Sequence, residues 1–279
     1  MNAARDEMYA RFWGVRGSIP VSDSRYARYG GNTSCVEVRC GESVLVFDAG
    51  TGLRPLGSAL VREGCRDLDL FLSHGHIDHV VGLPFFGFAY RPGNVLRIWS
   101  GHQAPGNGTT ESAVRSLMSS PLLPITPEVF PADVSFRDFL AGDDVAPPCG
   151  ISIRTARLRH PGGATGYRVD CGGRSICYVT DTEHDPEAPD ENILVLAEGA
   201  DLLIYDAMFT DEELPRHRGW GHSTWEEGAR LCRVAGVGTY AIFHHAPERD
   251  DEALDRIAAA AGRMFPGSVV AREGLVLAP

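Results

Sequence analysis

The stretch Ser73-His74-Gly75-His76-Ile77-Asp78-His79 places three imidazoles and a carboxylate within six positions, directly after an apolar run expected to be a strand over 69–73. Ten histidines spread over 279 residues would rarely cluster this tightly at a strand end. On extended backbone, side chains two residues apart point the same way, so His74 and His76 can aim at one metal ion. As the chain turns, Asp78 and His79 can aim together at a second. Imidazole and carboxylate together suit zinc, manganese or iron.

Outward from this motif, 35–39 (CVEVR) and 43–47 (SVLVF) are β-rich runs separated by Cys40-Gly41-Glu42, which reads as a hairpin. The turn Asp48-Ala49-Gly50-Thr51-Gly52 then leads into an expected helix over 53–63. Further strands are expected over 95–100, 151–158, 166–171, 175–180, 201–206 and 239–243. Helical spacing covers 224–235, where Thr224 and Glu227 suit a capping box, and 250–262. Strands and helices alternate with many hairpin-like joins, which predicts an α/β fold on mixed sheets. The Pro-, Ser- and Gly-rich stretch 101–148 reads as part of a lid or insertion at about 84–148, within one domain spanning 1–279.

The H-x-H-x-D-H motif after a hydrophobic strand, with Asp48–Gly52 upstream, resembles the metallo-β-lactamase superfamily. The resemblance covers nearly the whole chain, because later motifs recur in the expected order. It implies a four-layer αββα sandwich of two mixed β-sheets flanked by helices, holding two divalent metal ions, zinc foremost. By the same resemblance His74, His76 and His160 hold one ion, and Asp78, His79 and His244 hold the other. His245 stands beside His244 as the alternative. Asp181, in Tyr178-Val179-Thr180-Asp181-Thr182, bridges the two, and Asp48 orients a ligand histidine.

Leu203-Ile204-Tyr205-Asp206-Ala207-Met208-Phe209 followed by Gly221-His222-Ser223-Thr224 is similar to the acidic and histidine motifs of tRNase Z and related phosphodiesterases. That branch implies Asp206 and His222 as a catalytic pair, with Asp78 counted among the catalytic groups. The chemistry is coherent: metal-activated water attacks phosphorus, and a poor alkoxide leaving group takes a proton from His222. Only 20 residues separate His160 from Asp181, where tRNase Z carries its long tRNA-clamping arm. The missing arm favours a small or cyclic phosphodiester as substrate. The rival activities are acyl hydrolysis of a thioester, lactone or β-lactam, and a di-iron oxidoreductase or sensor.

The glycine-rich turns at 13–20 and 29–35 nominate Arg16, Ser18 and Asn32 as substrate contacts, since backbone amides and an arginine there could meet a phosphate. Gly50 and Gly52 lack the third glycine of a dinucleotide fingerprint, which removes a nicotinamide site. His102, His184 and His217 fit no motif and are expected to be solvent-exposed polar residues.

The formal net charge of −11 disfavours broad binding to a large nucleic acid, which needs a cationic face. No run reaches the roughly 18 to 20 apolar residues of a membrane span, and 1–10 lacks a secretory h-region. The expectation is a cytoplasmic protein with no membrane partner, with a homodimer left open. Seven cysteines without a C-x-x-C pair read as scattered reduced core thiols.

Overall fold

The structure is a computed structural model describing residues 8–102 and 108–279. The first half contains β1 (Met8–Gly14), β2 (Cys35–Cys40), β3 (Ser43–Phe47), α1 (Leu53–Glu63), β4 (Asp67–Leu72), α2 (Ile77–Val80), β5 (Val95–Ser100), α3 (Thr110–Leu117) and β6 (Asp133–Asp138). The second half contains β7 (Ser152–Leu158), β8 (Ala164–Cys171), β9 (Arg174–Val179), α4 (Glu191–Ala197), β10 (Leu202–Asp206), α5 (Trp225–Ala235), β11 (Thr239–Phe243), α6 (Asp251–Met264), β12 (Ser268–Val270) and β13 (Val276–Leu277).

Among the described residues one sheet runs β13-β1-β2-β3-β4-β5-β6 and the other β12-β11-β10-β9-β8-β7. Each sheet is mixed: β1, β2 and β3 pair antiparallel and β3 to β6 parallel, while β7, β8 and β9 pair antiparallel and β9 to β12 parallel. The parallel pairs require crossovers, and these place helices on the outer face of each sheet.

Three apolar layers follow from this arrangement. Alternate residues of β1 (Met8, Ala10, Phe12) face Tyr167, Val169, Ile176 and Phe243 of the other sheet, forming the inter-sheet core. Leu53, Leu56 and Leu60 of α1 cover the outside of the first sheet, with Val114 of α3. Ile193, Ala229, Leu231 and Leu254 from α4, α5 and α6 cover the outside of the second. The result is the helix–sheet–sheet–helix sandwich. Its middle is aromatic: Phe47 lies 5.5 Å from both Phe71 and Tyr178, and Tyr178 lies 5.7 Å from Phe243. The buried tyrosine hydroxyls are partnered, Tyr167 donating to Leu72 O at 2.6 Å and Tyr178 to Asp48 at 2.7 Å. The core is thereby tied to the strand ends where the motif sits.

Several sequence expectations change here. The stretch 84–148 is woven into the first sheet: β5 and β6 pair in parallel register and Thr110 of α3 donates to Asp138 of β6. Residues 103–107 of that stretch lie outside the described residues. The Thr224–Glu227 box is half formed. Thr224 Oγ1 accepts the Glu227 amide at 3.1 Å, but the Glu227 carboxylate turns to Arg230 at 2.7 Å. Residues 1–7 of the N-terminal segment also lie outside the described residues, and Met8–Ala10 belong to β1. Among the described residues no helix is long and apolar enough to cross a membrane. Cys35, Cys40, Cys177 and Cys232 are buried without disulfides, and no cysteine belongs to the His/Asp groups among the described residues.

Candidate metal centre and acid–base pair

The C-terminal ends of β3, β4, β9, β10 and β11 meet along one edge of the sandwich, delivering Asp48, Ser73-His74, Asp181, Asp206 and His244 to a common point. Open α/β sheets bind ligands at this edge because the chain leaves the ladder there and side chains converge outside it. Among the described residues four non-glycine positions have left-handed backbone, Ser18 (φ 61°), Asp48 (φ 60°), Asp181 (φ 59°) and His244 (φ 60°), and all four lie at this edge. Each such residue costs about 1–3 kcal/mol that packing elsewhere must offset. The turn is what swings the last side chain off the strand and into the cleft.

Two groups of ligand atoms result. His74, His76 and His160 have ring nitrogens within 4.8 Å of one another, as do the ligand atoms of Asp78, His79 and His244. Asp181 sits between them. Its Oδ1 is 3.8 Å from His74 Nε2 and 3.9 Å from His160 Nε2; its Oδ2 is 3.2 Å from His79 Nε2 and 3.3 Å from His244 Nε2. His245 points elsewhere, with Nε2 against Ala271 O at 2.8 Å, so the geometry takes His244 for the cluster.

The second layer of contacts fixes which nitrogen is free. Asp48 is fully buried and accepts from Ser73 N, Ser73 Oγ, Tyr178 Oη and His79 Nδ1, each at 2.7–2.8 Å. His79 thus donates from Nδ1 and leaves Nε2 bare toward Asp78 and Asp181. His160 donates from Nδ1 to Gly221 O at 2.8 Å and likewise leaves Nε2 bare. Ser18 N donates to Asp78 Oδ2 at 2.8 Å, and Thr180 Oγ1 to Asp181 Oδ2 at 2.7 Å. Gly17 has to be glycine: a Cβ there would lie 2.5 Å from the His244 ring and from Met208.

These residues fit divalent cations. His160 Nε2 faces His76 Nδ1 at 3.0 Å and His244 Nε2 faces His79 Nε2 at 3.3 Å, so ring nitrogens from separate segments converge on the same two points. His74 Nε2 is buried without a partner. Burial pushes the pKa values of His74, His76 and His160 down, keeping them as the neutral imidazoles that coordinate metals. Burial also opposes the charged form of His79, yet Asp78, Asp181 and Asp48 pull its pKa well above the usual histidine range. That excess of buried negative charge is what a cation would neutralise.

Beside the cluster, His222 Nδ1 lies 3.0 Å from Asp206 Oδ2 and 3.7 Å from Asp181 Oδ1. Asp206 is fully buried and is steadied by the amides of Thr182 and Met208, each at 3.2 Å. Burial disfavours the imidazolium, but Asp206, Asp181 and Asp78 raise the His222 pKa to about 9.

Two of the three nominated substrate contacts lie elsewhere. Arg16 is fully buried, its Nε donating to Gly30 O at 2.7 Å and its Nη1 to Arg249 O at 2.6 Å. Asn32 Nδ2 is engaged by Glu273 at 3.0 Å. Arg16 thus serves backbone carbonyls and Asn32 the Glu273 carboxylate, so the polar turn chemistry that suggested a phosphate contact holds segments of the chain together instead. Ser18 is exposed and at the cleft, through its backbone contact to Asp78. The three unassigned histidines are not solvent-exposed. His184 is 5% exposed, His102 bonds Ser100 at 2.7 Å, and His217 stacks on Phe209 at 4.2 Å.

Sequence reading also passed over Glu183. Its carboxylate accepts from Gly219 N at 2.8 Å and Gly221 N at 2.9 Å, and Gly221 O in turn holds His160. One acid therefore positions a ligand and the loop that carries His222. Replacing Glu183 by Ala should weaken metal affinity by about 10–100-fold, the usual effect of losing an outer partner of a ligand. Chelator competition measures this, and an affinity equal to wild type would make the loop self-supporting.

Residues 44–245 match the family model of the β-lactamase superfamily domain. The chain belongs to the metallo-β-lactamase superfamily. It is similar to the ribonuclease Z of Haloarcula marismortui, 25% identical over an alignment of 314 positions that covers 95% of this chain and 94% of the relative. Among solved structures it resembles the metallo-β-lactamase fold protein YhfI of Bacillus subtilis (TM-score 0.74, 20% identity, 98% of this chain and 100% of that one). It also resembles a diphosphatase of the PhnP family (TM-score 0.70, 18% identity, 97% of each chain). As a hydrolase of this superfamily it carries the His/Asp clusters that suit divalent cations.

Proposed function

We propose that this hydrolase cleaves phosphate diesters, small or cyclic ones foremost, with zinc as its native metal and manganese or iron as alternatives. The observation that carries the reading is the Asp206–His222 pair, 3.0 Å apart and set beside Asp181. Two divalent cations held by His74, His76, His160, Asp78, His79, His244 and the shared Asp181 would polarise phosphoryl oxygens and acidify water. The chain's own residues do the rest. Asp206 fixes the His222 ring and favours its protonated form, so His222 can donate to an alkoxide that leaves poorly without a proton. Asp48 and Gly221 O hold His79 and His160 in the tautomers that present Nε2. The all-imidazole and carboxylate donor set, without thiolate, favours zinc over softer ions.

The short hairpin between His160 and Asp181 supports a small substrate. That segment is β8 and β9 joined by a tight turn, with no projecting arm. The alignment to the Haloarcula protein runs over 314 positions against 279 residues here, so that relative carries insertions this chain lacks. The relative's name, ribonuclease Z, favours a second reading in which the diester is in RNA. A test measures metal content and turnover of bis-p-nitrophenyl phosphate, cyclic nucleotides, a 3′-extended tRNA precursor, a thioester and a β-lactam. Diester cleavage with cyclic nucleotides preferred over the precursor is expected. Preference for the precursor would install the RNA reading, and activity confined to acyl substrates would overturn both. Iron absorbance without hydrolysis would point to the oxidoreductase.

A further inference from the structure

Next to His160 the surface opens into a pocket of about 420 Å³, walled by Arg159 and His160, by Glu183, His184 and Asp185, and by the loop that begins at Arg218. Gly221 of that loop also lines it, and the next residue is His222, whose ring lies 5.4 Å from that of His160. The pocket therefore adjoins the group that protonates the leaving oxygen.

We infer that this pocket is the leaving-group subsite of the diesterase and that it takes a nucleoside. The inference rests on the phosphodiesterase reading for its position, and on four features of the pocket for its ligand. The first is a donor without an acceptor. His184 is 5% exposed, its Nδ1 is 2.7 Å from Ser223 Oγ, and its Nε2 has no partner. Tyr205 is fully buried and its hydroxyl lies 2.9 Å from the same Ser223 Oγ. A buried phenol must donate, so Tyr205 donates to Ser223, Ser223 donates to His184 Nδ1, and the imidazole proton sits on Nε2. A buried N–H left without an acceptor costs about 1–3 kcal/mol, and His184 is one of the residues that line the pocket.

The second feature is Arg218, exposed and engaged in no ion pair or side-chain hydrogen bond among the described residues. Its planar fork can bond sugar or base oxygens or stack on a heterocycle. The third is acceptor capacity. Glu183 is committed to two loop amides, but the Asp185 carboxylate, also lining the pocket, accepts only from Glu187 N among the described residues. The fourth is charge balance. Arg159, already 3.2 Å from Asp190, and Arg218 share the lining with Glu183 and Asp185, so the pocket carries no net excess of cationic side chains to favour a second phosphate. Ribose hydroxyls and base edges, donors and acceptors in a neutral frame, suit this wall. The volume falls within the range of small-molecule pockets.

Calorimetric titration of adenosine, and separately of inorganic phosphate, into the purified holoenzyme tests this without requiring turnover. Adenosine should bind wild type with a Kd of about 1 mM or tighter, and Arg218→Ala should weaken it about tenfold. Phosphate affinity should change by less than about threefold, because Arg218 is not among the cation ligands. His184→Phe, checked by thermal melting, should weaken adenosine similarly, since it removes the Nε2 donor. No adenosine binding to wild type, or equal binding to wild type and Arg218→Ala, overturns the subsite. Because the readout is binding, a protein that binds adenosine yet cleaves no diester would sink the phosphodiesterase reading and the leaving-group role with it, while the nucleoside site itself would stand.

Discussion

Asp181→Ala is expected to lose both cations' occupancy at ordinary metal concentrations and about three orders of magnitude or more in diester turnover. The residue is 1% exposed, and its Oδ1 faces His74 and His160 while its Oδ2 faces His79 and His244. Losing it removes a ligand from each group at once and several kcal/mol of charge stabilisation, at 1.36 kcal/mol per tenfold. It also leaves His79 and His244 with less counter-charge. Metal analysis after gel filtration, beside kcat/KM on bis-p-nitrophenyl phosphate, measures both effects. Retention of two equivalents of metal with activity within tenfold of wild type would remove Asp181 from the bridging role. Asp181→Asn separates charge from shape: the amide keeps one oxygen, so partial occupancy of one group is expected, with turnover still strongly reduced.

His222→Ala should show an effect that depends on the leaving group. On an alkyl or nucleoside diester the loss should be about 10²–10⁴-fold, the range for a positioned general acid. A nitrophenolate leaves without a proton, so bis-p-nitrophenyl phosphate should lose less than about tenfold. The metal content should stay at the wild-type level, since the cluster retains Asp181 and the histidines that face it. Asp206→Asn should follow the same leaving-group pattern more weakly, because the ring remains held while its charge is less favoured. Equal losses on both substrates would make His222 a phosphate-binding residue and end its role as proton donor.

The sandwich itself was legible in the chain to a large degree. Runs such as SVLVF and TYAIF became β3 and β11 with the expected bounds, and Gly64 and Gly236 stop α1 and α5 with left-handed backbone. What was missed has identifiable causes. The alternating burial of β1 was present in its sequence but lay beside a glycine-rich turn that dominated the reading. The helix α4 is short, and its start signal, Asp190 accepting from Asn192 N and Ile193 N, follows an Asp- and Pro-rich stretch that reads as loop. The lid expected over 84–148 came from composition, which does not report that β6 finds its partner in β5.

The site divides along the same line. Metal-ligand chemistry is local: four candidate ligands of one motif sit within six positions, and their strand-then-turn context follows from neighbouring residues. The sequence therefore determined the family, the donor types and the existence of a two-part cluster. Choosing His244 over His245 needed the left-handed turn at the end of β11, which sends one ring into the cleft and the other against Ala271. Assigning Arg16 to buried carbonyls, and giving Glu183 and His184 work to do, needed contacts between segments up to 233 positions apart. Side-chain type is written in the chain, but direction and partner depend on which strand ends are brought together, and only the packing of the two sheets fixes that.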